Sequence, residues 1–176
     1  MIFSVLGLGE SVNEFINDGS ITIGVNDIGK FHKVDYIVCV DRINAFTVER
    51  LKTIMKSKPN RFFSHLDEWK RIMPTFELIE FSKGRGNLND VDNTIAYSNN
   101  SVFVAIVMAY RLGASEINIY GADFNTHPNF NGNMLSAALD DFKKLFDFLK
   151  DKGIKITVTK SSKLIECLRL NIFQQD

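Results

Sequence analysis

The chain has 176 residues, 45% of them apolar and 24% charged, an ordinary globular composition with room for one sizeable core but not for two. Its 21 Lys and Arg balance 21 Asp and Glu, so it lacks the basic footprint of a dedicated duplex-binding protein and presents no clear nucleic-acid surface. No stretch approaches the ~20 apolar residues of a membrane span, and the apolar start stops at Gly7 without a basic lead, so neither a span nor a signal peptide is expected and the protein reads as cytoplasmic.

The first predicted strand, residues 2–6, runs into Gly7-Leu-Gly-Glu-Ser11 and a helix over residues 11–17. A strand at 20–25 leads to Asn26 and Asp27, and one at 36–40 contains Cys39 and ends at Asp41-Arg42. A helix over 45–56 is followed by strands at 61–64 and 76–81. Residues 82–100 are polar and glycine-rich and read as a long loop. Then come an apolar helix at 101–112, a strand at 116–120 and the turn Gly121-Ala-Asp123. A second polar loop, 125–133, contains His127; it precedes a helix at 135–152, a strand at 155–159 and a helix at 161–170.

Gly113 and Gly153 stand just past two of these helices, where a left-handed residue ends a helix cheaply. Ser161 and Ser162 are placed to cap the last one. Apolar strands alternating with helices predict an α/β fold: a single Rossmann-like three-layer domain over residues 1–176, with a mainly parallel sheet of about seven strands. Cys39 and Cys167 have no metal or redox spacing and are expected to be buried free thiols.

Open α/β sheets bind ligands outside the carboxyl ends of their strands. Gly7 and Gly9 follow the first strand in the manner of a phosphate cradle, although Val12 stands where a dinucleotide fingerprint has its third glycine. Asn26 offers both a donor and an acceptor. With Asp41 and Asp123 these positions place polar groups at the ends of strands one, two, three and six, in reach of one crevice. His127 is the candidate general base; His32 and His65, in a surface turn and at a strand end, are expected to be structural. Asp41, Asp90, Asp92 and Asp123 are of the type that hard cations prefer but have no ligand spacing, so no metal site is expected. Lys83-Gly-Arg-Gly86 reads equally as a phosphate-binding or a solvated basic turn. No Gly-x-Ser-x-Gly turn, Walker loop or His-Glu-x-x-His helix is present.

The run from Ser101 to Phe124, an alanine-spaced helix followed by Leu-Gly-Ala-Ser-Glu-Ile-Asn-Ile-Tyr-Gly-Ala-Asp-Phe, resembles the core of bacterial sialyltransferases of the Campylobacter lipooligosaccharide type. It is also similar to the motility-associated-factor flagellin glycosyltransferases and the hydroxymethylpterin pyrophosphokinase group. Gly7-Leu-Gly-Glu-Ser11, Gly24-Val-Asn26 and Asp35-Tyr-Ile-Val-Cys-Val-Asp41 follow in matching order. In the sialyltransferases the corresponding turn and asparagine line a cytidine pocket, which the resemblance carries over to Gly7, Gly9, Ser11 and Asn26. A Thr-Ser-Gly turn starts their central helix; here it reads Asn100-Ser101-Val102.

These readings converge on a nucleotide or nucleotide-sugar ligand, with glycosyl transfer from a CMP-sugar to a hydroxyl acceptor as the preferred activity. Gly7, Gly9, Ser11, Asn26, Asp41, Asn100 and Ser101 would bind the nucleotide, His127 would deprotonate the acceptor, and Asp123 would orient the sugar or the loop carrying His127. No cofactor is required in that reading. The alternatives are a pterin-type pyrophosphokinase using ATP and Mg²⁺, and a noncatalytic nucleotide-sequestering protein. Exposed apolar helix faces leave a homo-oligomer open.

Overall fold

A computed structural model describes residues 1–124 and 132–169. Strands β1 (Ile2–Leu6), β2 (Ile21–Val25), β3 (Tyr36–Val38), β4 (Arg61–Ser64) and β5 (Phe76–Leu78) spread to one side of the sheet. Two more strands, β8 (Glu116–Tyr120) and β9 (Lys155–Val158), extend it on the other side. The order is β5-β4-β3-β2-β1-β8-β9, with parallel pairing throughout. This is the seven-stranded, mainly parallel, Rossmann-like sheet the sequence predicts. The direction of strand addition reverses between β1 and β8, which makes their carboxyl ends the topological switch point.

The period-two alternation of the strands sorts their side chains into two cores. Phe3, Val5, Val38, Phe63, Ile117 and Ile119 pack on one face, beneath helices α2 (Ser101–Arg111) and α3 (Gly132–Asp151). Leu6, Ile37, Cys39 and Phe62 pack on the other, with Phe46, Trp69 and Ile54 of α1 (Val48–Ser57). Helix α2 is buried along Val102 to Ala109 without a break, as a helix apolar all round must be. Each of its large side chains contributes roughly 1.5–3 kcal/mol by leaving water. Asn100 starts it: the side-chain Oδ1 accepts from Val102 N at 2.9 Å and Phe103 N at 3.2 Å. Gly113, at φ 87°, and Gly153, at φ 74°, end α2 and α3 as expected.

Four expectations are corrected. The helix predicted over 11–17 is a single 3₁₀ stretch, Glu10–Glu14, because Ser11 is tied across the sheet and the chain leaves in extended geometry at Phe15. The strand predicted over 76–81 ends at Leu78, and Phe81 begins a separate strand, β6 (Phe81–Arg85). The loop predicted over 82–100 accordingly holds a small parallel pair, β6 with β7 (Ile95–Tyr97). In the last segment the helix α4 starts only at Ile165 and is described to Arg169. Ser162 Oγ accepts from Leu164 N at 3.1 Å, ahead of the helix proper. Both cysteines are free and buried. Burial pushes the Cys167 thiol up to about 11 and Cys39 higher still. No helix among the described residues is long and apolar enough to cross a membrane.

Candidate functional site

The turns after β1 and β8 meet backbone to backbone. Gly7 N donates to Tyr120 O and Gly9 N to Gly121 O, each at 2.8 Å. A Cβ on Gly7 would lie 2.2 Å from Gly121 O and 3.1 Å from Val102 Cγ2; one on Gly9 would lie 2.4 Å from Asp123 Oδ2. Both glycines are therefore required by the approach of the two turns, and buried Val102 fills the space beside Gly7.

Ser11 holds this junction together. Its hydroxyl donates to Asp123 Oδ1 and accepts from Gly121 N at 2.9 Å and Thr159 Oγ1 at 3.0 Å, while Ser11 N donates to Asp123 Oδ2 at 3.0 Å. One donor and two lone pairs are all that a serine hydroxyl has, so this one is fully engaged inside the protein. The carbonyls of the β8 turn are engaged too. Gly121 O takes Gly9 N, Ala122 O takes Ser162 Oγ at 2.5 Å, and Asp123 O takes Lys163 N at 3.0 Å. The switch point is thus closed by protein groups.

On the β2–β4 side the carboxyl ends are different. Asn26, directly after β2, sits at φ 50°, a left-handed conformation that asparagine tolerates better than other side chains. Its Nδ2 makes only a long 3.5 Å contact with Asp41 Oδ2, beyond the end of β3, and Asp41 is exposed. Asp41 O is anchored by Trp69 Nε1 at 3.0 Å. His65 follows β4. Two buried side-chain polar atoms among the described residues lack any hydrogen-bond partner, Asn26 Oδ1 and His65 Nδ1. They lie at the ends of β2 and β4, with Asp41 between them in strand order. Burial and the Arg42 charge hold His65 below the ordinary imidazole value, with Asp41 opposing.

The predicted residues therefore divide. Gly7, Gly9, Ser11 and Asp123 form one bonded junction. Asn26 and Asp41 form a second group, on the β2–β3 side of it. Asn100 caps α2, so its side chain occupies the Val102 and Phe103 amides that would otherwise face a phosphate, while Ser101 Oγ beside it is half-buried with no bond among the described residues. His127 lies outside the described residues. Phe124, immediately before that stretch, has φ 57° and packs edge-on to Phe142, with ring centroids 5.3 Å apart. For an aromatic residue that is a strained backbone of the kind found at functional sites.

Arg85 does not present a free cation to a phosphate: it pairs with buried Asp141 at 2.7 Å, which Ser98 Oγ also contacts at 2.9 Å. Asp90 and Asp92 bond to Asn93 and Tyr110. No group of three His, Cys, Asp or Glu residues among the described ones is placed to hold a metal. The sequence places His65 at a strand end and reads it as structural; here it follows β4 at the carboxyl edge of the sheet, with its Nδ1 buried and without a hydrogen-bond partner among the described residues.

No family model and no curated protein matches the chain. Solved structures do. The sialyltransferase CstII from Campylobacter jejuni in complex with the substrate analogue cytidine-5'-monophosphate is 15% identical, with 94% of this chain and 82% of that chain covered and a TM-score of 0.56. The same enzyme in complex with CMP-3FNeuAc gives 15% identity, the same coverage and a TM-score of 0.58. Its complex with a trisaccharide acceptor and CMP gives 16%, 94% and 84% coverage, and a TM-score of 0.58. At this identity the likeness is one of fold. Of the three groups the sequence resembles, the sialyltransferases are the one these structures represent.

Proposed function

We propose that the chain is a glycosyltransferase-like enzyme that binds a CMP-sugar across the carboxyl ends of β2, β3 and β4. The observation that carries this is Asn26: a left-handed residue with a buried, unsatisfied Oδ1, at the position where the resemblance to sialyltransferases places nucleotide contact. A buried acceptor left unpaired costs about 1–3 kcal/mol, and a ligand N–H or O–H removes that cost. The sheet's likeness to enzymes solved with CMP supports the choice of nucleotide.

In this reading the Ser11–Asp123 junction fixes the floor of the crevice, and Asn26, Asp41 and Ser101 contact the ligand. His127 removes the acceptor's proton as the hydroxyl oxygen attacks the sugar, and CMP leaves with the bonding electrons. Asp123 acts through position, holding the turn from which the His127 segment departs.

The test is a thermal-shift panel of nucleotides and sugar nucleotides, followed by a CMP-release assay with a hydroxyl acceptor. At 100 times Kd a ligand adds about 2.7 kcal/mol to stability, or roughly 5–10 °C for a chain of this size. Cytidine compounds should give that shift, and His127→Ala should keep the shift and abolish turnover. A response confined to ATP with Mg²⁺ would favour pyrophosphate transfer, and binding without consumption a sequestering role.

A further inference from the structure

We propose that His65 is a ligand-contacting residue, forming with Asn26 and Asp41 a subsite for a hydroxyl-rich ring, the sugar or ribose part of the ligand; this rests on the CMP-sugar reading above. The contrast with His32 carries the argument. His32 serves the fold: its Nε2 lies 3.0 Å from Val12 O, and its ring meets Phe15 edge-on. His65 has no hydrogen bond at either nitrogen among the described residues, and its Nδ1 is one of the two buried orphans.

What holds His65 is its face. The ring lies 4.4 Å from the Phe81 ring at 33°, and Phe81 lies 4.9 Å from Tyr97 at 36°. Stacking fixes the plane of an imidazole while leaving its edge, where both nitrogens lie, without a partner. The small β6–β7 pair supplies Phe81 and Tyr97, which gives that irregular insertion a role in the site.

The subsite's chemistry selects its ligand. Asn26 Oδ1 and the Asp41 carboxylate are acceptors, and a neutral imidazole brings one acceptor and one donor. Such a set suits neighbouring hydroxyls, which both donate and accept. A phosphate, which brings negative charge and no donor, is disfavoured beside Asp41. Asn26 and His65 are each half-buried, so both side chains reach the surface at the strand ends, and an amide flip at Asn26 exchanges its Nδ2, now facing Asp41, for the acceptor Oδ1.

The experiment is calorimetric titration of the full chain with CMP and with CMP-N-acetylneuraminic acid, for the wild type, His65→Phe and His65→Asn. Phe keeps the stack and removes the nitrogens; Asn keeps an amide near the Nδ1 position. His65→Phe should weaken binding about tenfold, the effect of losing one or two hydrogen bonds, and His65→Asn should recover most of it. Loss with both probes assigns the ribose; loss confined to CMP-N-acetylneuraminic acid assigns the transferred sugar. Because the phenyl ring removes an orphaned polar atom, His65→Phe should also hold its Tm or raise it by about 2–4 °C. If the wild type binds and His65→Phe binds equally well, the His65 assignment falls while the CMP-sugar reading stands. A clear fall in Tm with no recovery in His65→Asn would make His65 structural and overturn it too. If the wild type binds neither probe, both fall together.

Discussion

Removing the Ser11 hydroxyl tests the junction at the switch point. Ser11→Ala deletes the bond to Asp123 Oδ1 and the acceptor of the Gly121 and Thr159 bonds, leaving Ser11 N–Asp123 Oδ2 intact. The carboxylate bond contributes about 1.5–3 kcal/mol and each of the other two about 0.5–1.5. Those three bonds sum to roughly 2.5–6 kcal/mol before relaxation, and the Gly121 amide is left without its partner in a buried setting. Since Asp123 is partly exposed and water reaches part of the gap, about 3 kcal/mol is the expected loss. That corresponds to a fall of about 6–12 °C in Tm for a chain of this length. Urea unfolding should show the same loss, with an unchanged m-value. A double-mutant cycle with Asp123→Asn should give a coupling of about 1 kcal/mol or more, because the pair is in direct contact. A Ser11→Ala loss under about 1 kcal/mol, or additivity with Asp123→Asn, would refute the idea that this contact locks the turns.

Three further outcomes follow from the same geometry. Gly7→Ala drives a methyl to 2.2 Å from Gly121 O and should cost at least about 3 kcal/mol, near the upper range for overpacking; Gly19→Ala, with open space around it but φ 86°, should cost less, and chemical denaturation ranks the two. Asn100→Ala removes the α2 cap and should cost about 1–2 kcal/mol, whereas Asn100→Asp should restore most of it through the same oxygen geometry and the helix dipole. The third concerns Asp27, whose side chain is 2% exposed and meets Arg50 at 2.6 Å and Lys30 at 3.4 Å. Burial alone would raise its pKa, but the Arg50 hydrogen bonds and charge outweigh it and hold the carboxyl below its ordinary value. A depressed folded value means that this stability is fully present above the unfolded pKa of about 4 and is lost as pH falls through the folded value. Arg50→Met leaves the buried carboxylate with Lys30 alone and should cost about 2–4 kcal/mol. Its acid unfolding should begin at higher pH than in the wild type, as circular dichroism against pH would show.

The parts of the fold legible in the sequence were those with strong local patterning. Ile2 to Leu6, Arg61 to Ser64 and Glu116 to Tyr120 appear within the predicted bounds because apolar runs between turn residues leave few alternatives. The β6–β7 pair was not legible: Phe-Ser-Lys-Gly-Arg carries a glycine and two charges, and its partner is three residues long. Pairing with β7, not propensity, makes it a strand. The 3₁₀ stretch at Glu10–Glu14 is likewise set by a contact over a hundred residues away, between Ser11 and Asp123. The small and polar residues after the strands supply both the Ser11–Asp123 junction and the orphaned atoms of Asn26 and His65. Sequence alone does not distinguish a glycine needed for backbone approach, as at Gly7, from one left open for a ligand. Nor does it distinguish a serine whose hydroxyl is saturated, as at Ser11, from an asparagine left with an orphaned oxygen, as at Asn26. That difference lies in tertiary hydrogen bonding.

The most direct test is where a nucleotide binds. Amide and side-chain NMR shifts of the full chain, followed during titration with CMP, should move at Asn26, Asp41, Arg42 and His65, with little change at Thr157 and Lys160, which line an open concavity of about 410 Å³ at the ends of β8 and β9. Shifts centred on that concavity, or none at all with CMP, would contradict a nucleotide site across the ends of β2, β3 and β4.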